Sequence, residues 1–341
     1  MPQGGKVAPA LRIGLKRYGI RAVGVYRGRV SGWKIRVKDH LGEADNLLAK
    51  HKLFTFSPMQ TASEAKFKVL RLKALPPLSA TASRLLELLT DENLSLGKLA
   101  QVIARDPGIA ARILGVANSA YFGQTSPVHS VEDAVIRVLG LNMVRSLAFS
   151  ISVARVFETS RCREFDLENY WYHSLATAIL ARLICNHMAV SRRPDPDGVY
   201  LAGLLFDIGI LVLVHLFPAE YAQVLREGGG SHRELGPREE ALVGISGRTA
   251  GAWLADRWHL PEMVVQVVEQ KPVAGSEVEV ALVSLAADWV RKGFQPGPGV
   301  RAGTVSRARI LGLSESGLED IKAVYLRQDE EIRSIAGMLV N

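Results

Sequence analysis

The chain has 341 residues, 48% of them hydrophobic, with 42 Lys+Arg against 34 Asp+Glu, enough apolar material for one large or two to three ordinary domains. That composition excludes a wholly disordered chain, and 15 Pro are too few for a proline-rich scaffold; the two cysteines, Cys162 and Cys185, lie too far apart for a CxxC pair or a disulfide-built module and point to a reducing compartment. The net charge of +8 is local, because residues 1–73 carry 16 basic and 4 acidic side chains while the remainder carries 26 and 30.

Residues 1–60 read as a short basic N-terminal extension of β or irregular structure. Trp33-Lys34-Ile35-Arg36-Val37-Lys38 alternates apolar and basic residues, as a half-exposed strand does. Glycines at 14, 19, 24, 28 and 32 break any helix there. No secretory leader is expected, although the acid-free basic stretch up to Lys38 shares its composition with organelle transit peptides. Such a basic segment could touch nucleic acid or an anionic surface, but Tyr18, Tyr26 and Trp33 give it thin aromatic interleaving, and most charge runs are merely solvated.

From Leu75 onward the pattern is helical. Leu78, Ala82, Leu85, Leu86 and Leu89 share one helix face. Ser95 is a predicted N-cap for a helix burying Leu99, Val102 and Ile103. Asp106-Pro107 combines a capping carboxylate with proline at the first helical position, ahead of Ile109, Ile113, Leu114 and Ala117. Ser130-Val131-Glu132-Asp133 opens a helix that Gly140 closes. Asp166 caps a long helix running to about Met188, and Ser191–Gly198 is a predicted loop. Further helices are predicted near 199–216, 237–257, 261–270 and 277–291, with a loop over Lys292–Gly303 and one last helix over Ser316–Leu339. The stretch Val199–Phe217 is long enough to span a bilayer, but Asp207 near its middle would cost about 2.5–3.5 kcal/mol there, so a buried helix is expected.

Three polar residues share inward helix faces: His173 with Ala176, Leu180 and Leu183; Asp207 with Leu204, Ile208 and Leu211; Asp288 with Val280, Ala281, Ser284 and Leu285. Buried carboxylates must be paired, metal-bound or neutral. The remaining histidines at 129, 187, 215, 232 and 259 have no ligand-like spacing. Asp106, Pro107, Asn118 and Ser119 are candidates for a partner-binding surface; alternatively, Asp106 is simply an N-cap and Asn118 a helix C-terminal residue.

Tyr172-His173-Ser174, Gly203-Leu204-Leu205-Phe206-Asp207-Ile208-Gly209 and Ala286-Ala287-Asp288 resemble the layout of the HD phosphohydrolase superfamily. That resemblance implies a divalent metal held by a His, an adjacent His-Asp pair and a distant Asp. His173, Asp207 and Asp288 fall on the first, third and fourth of these positions. The second holds Phe206, which has no lone pair to donate. Leu75-Pro76-Pro77-Leu78, Asp106-Pro107-Gly108-Ile109, Ala117-Asn118-Ser119-Ala120-Tyr121-Phe122-Gly123, Val138-Leu139-Gly140 and Trp258-His259-Leu260-Pro261 are similar to the HDOD domain, the HD-related output domain of bacterial signalling proteins. Histidines that many members retain are replaced here by Phe206, Gly247 and Gln270-Lys271, which removes nitrogen ligands without adding others.

The resemblance implies an all-α, two-lobed helical HDOD domain: residues 61–160 as the N-terminal lobe, 161–291 as the HD-like lobe and 292–341 as a loop and C-terminal helix. It also implies a cytoplasmic, non-catalytic regulatory module with a degenerate metal site at His173, Phe206, Asp207 and Asp288, no catalytic residue, no metal and no cofactor. Its partners would be other signalling proteins or a small signal ligand, with nucleic acid a lesser prospect through residues 1–60 and no membrane span. The alternative is a divergent metal-dependent phosphohydrolase acting on nucleotide phosphates through His173, Asp207 and Asp288.

Overall fold

Side chains with helical periodicity and caps at the expected places build an all-α body. The computed structural model describes residues 75–228 and 235–340, apart from positions 92, 274 and 293–297, together with two short strands near the N-terminus. The chain divides into two units, Met1–Leu70 and Arg71–Asn341. In the first, β1 (Val23–Gly24) pairs antiparallel with β2 (Ile35–Arg36), Val23 facing Arg36. Within the Trp33–Lys38 stretch only Ile35–Arg36 is described, as β2; the rest of that stretch and of the basic extension, read as β or irregular, lies outside the described residues apart from β1.

The second unit opens with α1 (Ala80–Leu89), α2 (Leu96–Ala104) and α3 (Pro107–Ala117), each started by a side-chain cap from Ser79, Ser95 and Asp106 respectively. A 3-10 turn (Ala120–Phe122) leads to α4 (Val131–Asp133), capped by Ser130, which winds on as a π-helical segment over Ala134–Leu139. Gly140, at φ 79°, ends it and starts α5 (Leu141–Ala154). The long α6 (Leu167–His187) begins where Asp166 accepts the Asn169 N–H at 3.0 Å. It is the central strut, packing against α7 (Pro196–Leu205), α13 (Glu277–Lys292) and α16 (Asp329–Val340).

Five expectations from the sequence are corrected. The loop expected over Ser191–Gly198 is shorter, since a 3-10 segment occupies Val190–Arg192 and the Asp195 carboxylate caps α7 from Pro196. The apolar stretch near 199–216 is two helices, α7 and α8 (Ile208–Leu216), broken at Phe206-Asp207. The break brings α8 backbone to backbone with α11 (Gly247–Arg257): a Cβ added to Gly209 would meet the Gly247 carbonyl oxygen at 1.7 Å. The Pro196–Leu216 run is apolar enough to cross a membrane, but 83% of its window is buried within the protein. The helix expected over 237–257 is α10 (Leu235–Leu242) and α11, separated by Gly244 at φ 79° and the Ser246 cap. The last helix is likewise two, α15 (Glu315–Leu326) and α16. The loop expected over Lys292–Gly303 gives way at Pro298 to α14 (Pro298–Leu311), because proline is well suited to a first helical turn.

Between α8 and α13 run α9 (Pro218–Glu227), α10, α11 and α12 (Glu262–Glu269). One contiguous apolar core links α1–α5 with α6–α13 and α15–α16. Arg112 of α3 fastens α16 to it, donating through Nε to the Leu339 carbonyl at 2.7 Å and through Nη2 to that of Val340 at 3.3 Å.

Candidate functional site

The α7–α8 break turns Phe206 and Asp207 toward α13, and together they line a cavity of about 440 Å³. Asp288, Arg291 and Lys292 of α13, Glu239 and Glu240 of α10, Gly247 and Arg248 of α11, and Gln270 complete its polar walls. Two tight glycine contacts set this corner. Gly203 of α7 lies on Ala178 of α6, where an added Cβ would stand 2.6 Å from the Ala178 Cα. Gly209 and Gly251 hold α8 against α11, which leaves no room for side chains at the crossing.

Three of the cavity's carboxylates, Asp207, Asp288 and Glu239, have internal partners. Asp207 forms an ion pair with Arg291, their side chains only 11% and 20% exposed. The Arg291 guanidinium also lies 5.2 Å from the centroid of the Phe206 ring, within cation–π reach. Asp288 accepts from Arg307 Nη1 of α14 at 2.5 Å and faces Lys292 Nζ at 3.9 Å. Glu239 is buried and accepts from the Tyr221 hydroxyl at 3.0 Å and the Gly247 N–H at 2.7 Å. Burial raises the Glu239 pKa above its usual value; the bonds from Gly247 and Tyr221 oppose this, and the nearby Asp207 charge adds to it. The carboxylate of Glu239 stands 3.2 Å from where a Cβ on Gly247 would lie, so it fills the space that a side chain at this position would enter.

The structure brings together three of the four expected metal-site positions, Phe206, Asp207 and Asp288. His173 is not among the described residues lining the cavity; it is half-buried on α6 with its ring edge-on to Tyr172. The donor set does not fit the divalent metal implied by the HD resemblance. Phe206 supplies no ligand atom, guanidinium groups already neutralise both aspartates, and among the described residues no three His, Cys, Asp or Glu side chains are grouped to hold an ion. The sequence reading missed Arg291 and Arg307. Arg291 sits three residues after Asp288 on α13, a spacing that signals proximity, but Arg307 lies on a helix that begins inside the predicted loop.

The four residues considered for a partner surface are tied into the fold. Asp106 accepts the Ile109 N–H at 3.1 Å and pairs with Arg155 Nη1 at 2.8 Å. Burial would raise its pKa, but the bonds from Arg155 and the Ile109 backbone outweigh that and hold it below the usual carboxylate value. Pro107 is the first residue of α3. Asn118 bridges to residue 128, donating to the Val128 carbonyl at 2.9 Å and accepting its N–H at 2.7 Å. Ser119 is 3% exposed and donates to the Val116 carbonyl at 2.7 Å, so it presents no hydroxyl to a partner.

The all-α body, with Phe206 beside the Arg291-paired Asp207 and Arg307 on Asp288, has the layout of an HD-type protein. The HDOD domain family matches residues 75–272, and the chain belongs to that family. A Treponema pallidum (strain Nichols) protein of uncharacterised function is 24% identical over 201 residues, covering 58% of this chain and 37% of that relative. Among solved structures, a Marinobacter aquaeolei VT8 protein provisionally named for signal transduction is similar with a TM-score of 0.67 and 29% identity, covering 79% of this chain and 60% of the other. The chain therefore spans less than two thirds of the length of each of these relatives. A Geobacter sulfurreducens HDOD domain protein of unknown function superposes with a TM-score of 0.63 and 25% identity, over 81% of this chain and 99% of that one. A Shewanella amazonensis SB2B protein provisionally named a phosphohydrolase shares the fold at 20% identity and a TM-score of 0.63, over 80% and 97% of the two chains. Family and neighbours together support a regulatory, signalling role.

Proposed function

We propose that the chain is a non-catalytic module of signal transduction, acting in the cytoplasm, which binds other signalling proteins or a small signal ligand through its helical surfaces. The observation that supports this reading best is the pairing of Asp207 with Arg291 and of Asp288 with Arg307, beside an aromatic residue at 206. Cations built into the chain occupy the carboxylates that a hydrolytic metal would need, and metal-assisted hydrolysis requires both a ligand set and an open position for water. Both cysteines are buried and unpaired, which suits a reducing compartment. Incubating the protein with cyclic dinucleotides and nucleoside phosphates, in Mn²⁺ and in Mg²⁺, is expected to give no turnover. Turnover that disappears in Asp207→Ala would overturn the reading and favour the divergent phosphohydrolase.

A further inference from the structure

A second cavity lies away from the aspartates, where α3, the 3-10 turn and α5 meet the long α6 and the α15–α16 pair. Its volume is about 260 Å³. The walls are chiefly apolar, including Val116, Met143, Leu175, Ile179, Val324 and Ile335. Arg182 of α6 is the one charged residue among the described residues that line it. It is half-buried and forms no hydrogen bond or ion pair with any described residue. Asn186, one turn further along α6, and Gln328 add neutral polar groups. The Tyr121 hydroxyl reaches Gln328 Oε1 at 3.5 Å. Burial raises the pKa values of Tyr121 and Tyr200, so both phenols stay neutral and cannot compensate the guanidinium. Glu331 of α16 acts on Tyr121 but makes no ion pair with Arg182.

An apolar cavity with a few convergent polar groups is the usual form of a small-molecule site. A guanidinium on a chiefly apolar wall favours a planar anion that accepts from it bidentately. From these observations we infer that the cavity binds a small monocarboxylate with an apolar tail, its carboxylate on Arg182 and its tail between α3, α6 and α16. The inference goes beyond the proposed function by naming a ligand class and a site, and it holds whether or not the aspartate cavity turns over phosphoesters.

Titration calorimetry of the full chain with octanoate tests it, using octan-1-ol as the uncharged control. The expected result is one saturable octanoate site per chain, at least about tenfold weaker in Arg182→Gln, and octan-1-ol binding weaker than octanoate by a similar factor. Arg182→Lys keeps the charge but loses the planar fork, and is expected to fall between wild type and Arg182→Gln. It serves as the deciding variant if Arg182→Gln fails to give the wild-type circular dichroism spectrum. Absence of saturable octanoate binding, equal binding by wild type and the Arg182 variants, or equal binding of octan-1-ol would overturn the assignment. A phosphohydrolase assay reads none of these outcomes, so the two proposals fail separately.

Discussion

Phe206 and Arg291 act as a pair: the ring gives the guanidinium a face to lie on, and the guanidinium neutralises Asp207. Arg291→Met would leave a carboxylate that is 11% exposed without its counter-ion. A loss of about 2–3 kcal/mol in urea unfolding is expected, somewhat below the cost of breaking a fully buried pair. Adding Asp207→Asn should return most of it, because the double variant removes both charges. Phe206→His alone is expected to give no saturable Mn²⁺ heat in calorimetry, since Arg291 still occupies Asp207. Glu239 adds a pH dependence of a particular sign. Its folded pKa lies above the usual value of 4.5, so the folded state holds the proton more tightly than the unfolded chain. Between 4.5 and the raised folded value, stability therefore falls as pH rises. Glu239→Gln should flatten that part of the stability curve, whereas Asp106, with its lowered pKa, contributes stability that is lost only as pH falls below its usual 3.8.

At the scale of single elements, the α8–α11 crossing rests on glycine. Gly209→Ala would drive a methyl group into the Gly247 backbone, and a destabilisation of about 3 kcal/mol in thermal or urea unfolding is expected. The opposite outcome is expected at the end of α11. His259 sits at φ 53°, with its N–H bonded to the Asp256 carbonyl at 3.0 Å and that of Leu260 to Ala255 at 3.0 Å. This is a left-handed helix ending that glycine adopts without strain. His259→Gly should raise stability by about 0.5–1 kcal/mol. Helix starts were legible in the sequence because Ser95, Asp106, Ser130 and Asp166 bond their own backbone neighbours, a local interaction that needs no tertiary context. Helix breaks were less so. The break at Phe206-Asp207 accompanies the approach of Gly209 to the Gly247 backbone and the pairing of Asp207 with Arg291, and both partners lie far along the chain.

Across the molecule, helix periodicity set Asp207 and Asp288 on inward faces and the HD resemblance implied that they meet in one cavity, but neither signalled their neutralisation. Arginine is common on exposed helix faces, and nothing local distinguishes Arg307 from a solvated residue until α14 is folded against α13. The α15–α16 pair has a comparable long-range origin. It packs on α6, and α16 also touches α3, so it joins the front of the helical body to its centre. The Arg112 contacts to the Leu339 and Val340 carbonyls act as a latch on that joint. Arg112→Ala should speed amide exchange in α16 well before it affects α6, which hydrogen exchange read by mass spectrometry can resolve. Releasing the latch would also remove a wall of the Arg182 cavity, because Ile335 belongs to α16 and Val324 to its partner helix. A tail bound there would glue the latch shut, and a protein that prised α16 away would empty the cavity; occupancy and unlatching would thus be opposing inputs to one hinge.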